Sequence, residues 1–276
     1  MGDADTRRVG IIYHPDKPRA KTLASEVEEW LRKKRVPCEQ FRIHHGIPLC
    51  YWFVVVLGGD GYLMHLAATL APHKIPVLGI NAGDKGFLTL ATVTNWKSVL
   101  SRVIRGNCEI EQRLVLEVGF GDKIAYAVND AYIRHPNGMV VARVQVNEKV
   151  VYRALEADGI VVASPVGSTA YNMSAGGPIV AYGMDCFVVT PIASTQFNAK
   201  PFVIPSAWTV CITQIGTKAQ DKECGSALVV DGKTVAELRD GDSFKVSASA
   251  LRSHFISLKQ DVDFFVALHN KAGLLE

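Results

Sequence analysis

The sequence predicts an α/β N-terminal domain built on a parallel sheet, followed by an all-β C-terminal domain. Two observations carry this prediction. Up to residue 107, apolar runs of strand length alternate with segments of helical period, the pattern of a parallel sheet flanked by helices. From residue 108 the helical period nearly vanishes, and short alternating strands separated by turn residues take over. The predicted layout is an α/β domain over 1–107, a β-rich domain over 108–258 and a C-terminal segment over 259–276. The apolar stretch Phe264 to Leu268 in that last segment is expected to pack back on the first domain.

The elements follow in order. Val9 to Tyr13 is a short apolar strand ended by His14-Pro15. Leu23, Val27, Trp30 and Leu31 then recur at the spacing of a helix stripe packed on a sheet. Arg32-Lys33-Lys34-Arg35 closes that helix, where cations suit the negative end of its dipole. A strand candidate over Cys38 to Ile43 precedes Trp52 to Leu57, which is apolar on both faces and reads as a buried parallel strand. That strand runs directly into Gly58-Gly59-Asp60-Gly61 and a second helix carrying Leu63, Leu66, Ala67 and Leu70, with Pro72 just past its end. Ile75 to Ile80 is a further apolar strand, ending in Asn81-Ala82-Gly83. Beyond it lie alternating strands such as Leu114 to Val118, Val140 to Val146, Ala227 to Val230 and Phe244 to Ser247. Asp231-Gly232 and Asp240-Gly241 are hairpin-turn dipeptides.

Bulk composition narrows the classes. Hydrophobic residues make up 48% of the 276, ordinary for a globular protein. Thirty basic against 27 acidic residues leave a formal charge of +3, too little to imply nucleic-acid binding. The six cysteines are scattered, with no zinc-site spacing and no disulfide framework. The opening residues are polar and acidic, and no apolar stretch reaches the ~20 residues of a membrane helix. A reduced, cytoplasmic protein is the expectation, with no membrane partner.

Three stretches carry chemistry. In Gly58-Gly59-Asp60-Gly61 a strand end meets a helix start through glycines, so backbone N–H groups can approach an anion closely. A single carboxylate stands there at the carboxyl end of a parallel strand, where α/β sheets place ligands, able to accept a hydroxyl proton or bind a ribose diol. A tight turn with a helix-capping aspartate fits the spacing equally well. The second stretch, Asp158 to Pro178, is an apolar strand leading into a turn crowded with small and hydroxyl residues and one tyrosine. Such a loop suits a purine ribose and its phosphates. The third, Val128-Asn129-Asp130-Ala131, sets an amide beside a carboxylate, and alone it reads more readily as an Asx turn.

Together these stretches resemble the NAD kinase family. Its members carry a Gly-Gly-Asp-Gly turn, a Gly-Phe-Leu element, an Asn-Glu or Asn-Asp pair, and a Thr-Gly-Ser-Thr-Ala-Tyr loop ending in Ser-Ala-Gly-Gly-Pro. All occur here in order, over roughly residues 9–245. The resemblance implies a Rossmann-like N-terminal sheet similar to that of NAD kinases and diacylglycerol kinases. It also implies transfer of the γ-phosphoryl of ATP to the adenosine-ribose 2′-hydroxyl of NAD, with Mg²⁺ or another divalent cation carried on the ATP. Asp60 matches the catalytic base, and Gly61 the backbone near ribose and phosphates. His65 stands where the family has a basic ligand-facing residue, and Phe87 matches an aromatic near the adenine. Asn129 and Asp130 match the pair that bonds ribose and adenine. Thr169, Ala170, Tyr171, Asn172, Met173 and Ser174 match the loop that wraps the dinucleotide. Ala193 matches a small pocket residue, and Lys233 falls where Gln or Asn often lies near the ligand. Asp158 matches an aspartate that reaches a neighbouring subunit's ligand, so a homodimer or homotetramer is implied.

The chain departs from the family's pattern at Tyr62 and Val166, where threonine is usual, and at Lys85, where leucine is common. Glu156 replaces a basic residue and would repel a 2′-phosphate. Two rival readings share parts of this pattern. A lipid or sugar-phosphate kinase could carry the same glycine turn, although the 158–178 loop matches dinucleotide binders. A non-catalytic dinucleotide sensor could keep the pocket without turnover.

Overall fold

The computed structural model describes residues 7–42, 51–83, 88–219 and 224–258. The chain divides into two compact units, one comprising residues up to Gln112 and from Arg252 onward, the other Arg113–Leu251. Phe87, Lys85 and the 259–276 segment lie outside the described residues.

In the first unit, β1 (Arg8–Tyr13), α1 (Pro18–Lys33), β2 (Cys38–Gln40), β3 (Tyr51–Gly58), α2 (Asp60–Leu70), β4 (Val77–Asn81), β5 (Ala91–Thr92) and α3 (Trp96–Ile104) follow one another. Helix α1 starts with proline at its first turn, where a missing N–H costs nothing. It buries Ala20, Leu23, Ala24, Val27 and Leu31. Its basic end is laced to it by Glu28–Arg32 and Glu29–Lys33 pairs one turn apart. The strands run parallel, with β3 between β1 and β4, and β2 on the outer side of β1. Phe53, Val55, Leu57, Leu78 and Ile80 join the α1 and α3 faces in one core. Because β1, β3 and β4 point the same way, Tyr13, Gly58 and Asn81 share one end of the sheet. Register pairs Tyr13 with Leu57 and Gly58 with Asn81 there.

The second unit is β-built, as the loss of helical period predicts. It contains most of β6 (Glu109–Phe120), then β7 (Lys123–Ala127), β8 (Asp130–Arg134), β9 (Gly138–Val146), β10 (Lys149–Ala157) and β11 (Gly159–Ala163). A short helix α4 (Tyr171–Ser174) precedes β12 (Cys186–Ile192), β13 (Phe202–Pro205), β14 (Val210–Ala219), β15 (Ser226–Val230), β16 (Lys233–Leu238) and β17 (Ser243–Ser257), whose last residues belong to the first unit. One antiparallel layer runs β10-β9-β14-β17 and the other β13-β12-β11-β8-β15-β16. Alternate residues of both layers, among them Val144, Ile212, Phe244, Ile133, Val162 and Phe187, meet in the sandwich core. The opposite residues of β11 and β12, including Val161, Ala163 and Val188, are covered by Val180 and the chain around Tyr171. That covering chain is the hydroxyl-rich loop.

The two turn dipeptides differ. Asp231-Gly232 has φ of 44° and 76° and closes the β15–β16 hairpin, as two left-handed residues should. Asp240-Gly241 instead joins strands of different layers. The Gly241 N–H donates to Gln214 O at 2.8 Å, and the Gln214 N–H donates to Asp242 O at 2.9 Å, so β14 captures the turn. No helix among the described residues is long and apolar enough to cross a membrane.

Candidate active site

The glycine turn sits where β3 ends. Gly59 caps α2 in an extended conformation without any side-chain cap, and Asp60 is the acid of the first turn. A negative charge there suits the positive end of the helix dipole. The Asp60 carboxylate is half-buried and accepts the Leu88 N–H at 3.1 Å. A Cβ placed on Gly61 would meet no heavy atom within 4 Å, so the backbone there stands open. The Lys17 ammonium lies 3.6 Å from the position of a Gly59 Cβ. Tyr62, unusual in the family, donates its hydroxyl to Tyr13 O at 3.1 Å and rests against the His14 ring at 4.9 Å. It ties the first turn of α2 to the end of β1, and burial pushes its hydroxyl pKa up. His65 follows Gly61 by one turn on the half-exposed side of α2, away from the face that buries Leu63, Met64 and Leu66.

In the β-unit the Asn129–Asp130 pair lies at the start of β8, beside the end of β11, where Ala163 pairs with Asp130. Both sides of its backbone are held. The carboxylate of Asp231 accepts the N–H groups of Val128 (2.8 Å), Asn129 (2.9 Å) and Asp130 (3.2 Å). On the carbonyl side, the Ser164 N–H donates to Asn129 O at 2.8 Å, and the Ser164 hydroxyl donates to Val128 O at 2.5 Å. Gly167 packs so closely on this segment that an added Cβ would come within 2.0 Å of Asn129 O. The side chains are not gripped in this way. Asn129 Oδ1 is buried with no hydrogen-bond partner among the described residues. The Asp130 side chain is 4% exposed. Burial, reinforced by the Asp231 charge, pushes its carboxyl up to about 7.

The loop from Ser164 crosses the outer face of β11 and β12, pinned at several points. Ser168 donates to Pro165 O and accepts the Val180 N–H. Asn172 is fully buried, donating to Ser168 O and Pro178 O at 3.0 Å each and accepting the Thr190 hydroxyl at 2.6 Å. Asn172, expected among the substrate contacts, has its amide engaged inside the protein, where it anchors the loop. Thr169 is buried, with its hydroxyl on Val166 O at 3.2 Å. Val166 itself is buried, so the family's threonine hydroxyl has an apolar replacement inside the fold. Ala170, Tyr171 and Met173 are half-buried and Ser174 is exposed. The Tyr171 ring meets Tyr132 of β8 edge-on at 4.8 Å.

Asp158 and Ala193 lie side by side at the other end of β11, joined by the Asp158 N–H to Ile192 O bond of 2.9 Å. Five residues of strand separate that end from Asp130, roughly 16 Å. The Asp158 carboxylate makes no hydrogen bond within the described residues. Ala193 holds a left-handed backbone (φ 47°), strained for a residue with a Cβ. The Ser194 hydroxyl and Thr195 N–H fasten that turn to Glu156 O. The Glu156 carboxylate meets Lys218 Nζ at 2.5 Å, so the acid that would repel a phosphate stands beside a cation. Lys233 is exposed, two residues past Asp231. Asp231, Ser164, Gly167 and Lys218 are the site residues that sequence reasoning missed.

This geometry has counterparts. The ATP-NAD kinase N-terminal domain pattern matches residues 51–108 and the ATP-NAD kinase C-terminal domain pattern residues 128–258. An NAD kinase from Heliobacterium modesticaldum is 34% identical over 290 residues, covering 95% of this chain and 97% of that protein. An NAD kinase from Methanothermobacter thermautotrophicus is 31% identical, covering 92% and 93%. Among solved structures, an NAD kinase from Archaeoglobus fulgidus in complex with ATP superposes with a TM-score of 0.75. It is 25% identical and covers 96% of this chain and 97% of that one. Yeast NADH kinase complexed with NADH shares the fold at a TM-score of 0.85 and 22% identity, covering 98% and 88%. Two family domain patterns and relatives that match nearly end to end show that the chain belongs to the NAD kinase family.

Proposed function

We infer that the chain is an NAD kinase, transferring the γ-phosphoryl of ATP to the adenosine-ribose 2′-hydroxyl of NAD to give NADP. The observation that carries the site reading is the unsatisfied Asn129 Oδ1 beside the buried Asp130 carboxyl. A buried acceptor without a donor costs free energy unless a ligand completes it, and burial of the neighbouring carboxyl disfavours its charged form. A ribose diol and an adenine amino group supply the donors required. Asn129 and Asp130 are therefore assigned to the ribose and adenine, with Tyr171, Thr169, Ala170, Met173 and Ser174 wrapping the dinucleotide.

Asp60 is assigned as the group that accepts the 2′-hydroxyl proton while the oxygen attacks the γ-phosphorus. Its position at a helix start with an open Gly61 supports that role. Phosphoryl transfer depends mainly on alignment and on neutralising the phosphoryl oxygens. No three carboxylate, histidine or cysteine side chains gather as a cation cage among the described residues. The divalent cation is assigned to the donor, as the magnesium salt of ATP. His65, Phe87, Ala193 and Lys233 complete the proposed ligand contacts. The unbonded Asp158 carboxylate, about 16 Å from Asp130 along β11, is assigned to a neighbouring subunit's ligand in a homodimer or homotetramer. A cytoplasmic location accompanies this reading.

The test is incubation of the purified chain with Mg²⁺-ATP and either NAD or a lipid diol, with NADP detected by an NADP-specific dehydrogenase. NADP formed at a rate proportional to enzyme is expected. Phosphorylation of the lipid alone would overturn the reading.

A further inference from the structure

We propose that Asp231 is a positioning residue for the dinucleotide, a carboxylate that aims the Asn129 and Asp130 side chains by gripping the three successive N–H groups of Val128, Asn129 and Asp130. This rests on the NAD kinase reading of the pair and adds to it a residue that touches no substrate.

The geometry supports a dedicated role. Asp231 occupies the left-handed region at φ 44°, a strained conformation for a residue with a Cβ. An ordinary hairpin turn would be served as well by asparagine or glycine at that position. Here the side chain turns inward and spends both oxygens on a segment about a hundred residues away, with Oδ2 on Val128 and Oδ1 on Asn129 and Asp130. The turn's own N–H donates back to Asp130 O at 3.0 Å. All three side-chain contacts are donors, and only a carboxylate accepts them all. Ser164 holds the opposite, carbonyl side of the same segment. The pair is thereby fixed from two directions, and its side chains remain free for a ligand.

Asp231 also sets the charge environment of the pair. The neighbouring strands β11 and β15 carry no titratable group, so Asp130 faces Asp231, and Tyr132 two residues along its own strand. Burial and the Asp231 charge hold the Asp130 carboxyl up near 7. Removing that charge lowers it.

The test compares Asp231→Asn and Asp231→Ala with the full-length parent. Asparagine keeps one acceptor but turns an amino group toward the Val128 N–H. Expected in both variants are faster amide exchange at Val128, Asn129 and Asp130 and a KM for NAD raised about ten- to a hundredfold. The KM for ATP and the kcat at saturating NAD change much less. A carbon-13 titration of the Asp130 carboxyl moves to lower pH in Asp231→Asn. A wild-type KM for NAD, or an unmoved Asp130 titration, would overturn the proposal. Should the variants fail to fold, unprotected 128–130 amides in the parent overturn it, and protected ones that slow further on adding NAD support it. A parent that forms no NADP counts against the function reading, whereas a wild-type KM in the variants counts against Asp231 alone.

Discussion

Replacing Gly167 with alanine tests whether the hydroxyl-rich loop and the Asn129–Asp130 pair form one rigid unit. The backbone at Gly167 lies outside the left-handed region, so alanine meets no conformational objection there. The objection is contact. Its Cβ would lie 2.0 Å from Asn129 O, 2.5 Å from Asn129 C and 2.8 Å from Asn129 Cα. An ordinary carbon–oxygen contact is about 3.3 Å, so one backbone must retreat by about 1.3 Å. Neither can do so cheaply. Moving Asn129 stretches the 2.8 Å bond from Ser164 and disturbs the grip of Asp231, while moving the loop disturbs Ser168 and Asn172. Overpacking costs about 1–3 kcal/mol and one strained hydrogen bond about 1 more. At about 2–4 °C per kcal/mol, the melting temperature falls by roughly 5–15 °C. A displaced Asn129 also raises the KM for NAD about tenfold or more, since placement errors near 1 Å are costly in aligned sites. Differential scanning fluorimetry and NADP-coupled kinetics read the two effects. A variant with the parent's melting temperature and KM would refute the claim that this contact holds the pair.

Gly61→Ala has the opposite signature. Nothing lies within 4 Å of the added methyl, and alanine favours the helix by about 0.5–1 kcal/mol. Melting should hold or rise by a few degrees while kcat/KM falls, and unchanged kcat/KM would place the ligand away from the turn. Asp60→Asn keeps an acceptor for the Leu88 N–H but loses the proton acceptor. NAD binding measured by calorimetry should persist while kcat drops by about 10²–10⁴, and wild-type turnover would remove Asp60 from the chemistry. Asp130 contributes a pH dependence whose sign follows from linkage. Its pKa is raised on folding from 3.8 to about 7, so the native state binds more protons across that interval, and stability declines as pH rises through it. Asp130→Asn should therefore melt above the parent at pH about 8 but not at pH about 4. An equal difference at both pH values would contradict a raised Asp130.

Much of the fold was legible because it rests on local periodicity. The α1 stripe, the doubly apolar β3 and the loss of helical spacing past residue 108 each follow from burial of one or both faces. The candidate site was legible only where its residues are contiguous, as in Gly58 to Gly61 and the 158–178 loop. What escaped was long-range. Asp231 reads locally as the first residue of an Asp-Gly turn, which explains an aspartate fully, and its partners lie about a hundred positions earlier. Lys218 reads as a strand-end lysine until β9 brings β10 and β14 to either side of itself and sets it against Glu156. For Asn172 the fold adds partners that the sequence does not show. Its place within the loop motif suggested a ligand contact, but only the fold shows Thr190 beneath it.

The satisfaction of polar groups separates scaffold from site within this loop and its surroundings. Ser164, Ser168, Asn172 and Thr190 are all buried, and each has its hydroxyl or amide matched inside the protein. They are polar because the loop is too irregular to satisfy its own backbone, and buried backbone groups must be satisfied by something. Asn129 is the same residue type as Asn172, but its backbone is served by Asp231 and Ser164 while its buried Oδ1 has no partner among the described residues. A fold gains nothing by burying an unmatched amide oxygen, and burying the Asp130 carboxyl beside it raises that group's pKa. Residue type alone therefore distinguishes nothing here. The unmet demand of Asn129 Oδ1, at a place gripped from both sides, is what supports the proposal that this pair meets a ligand.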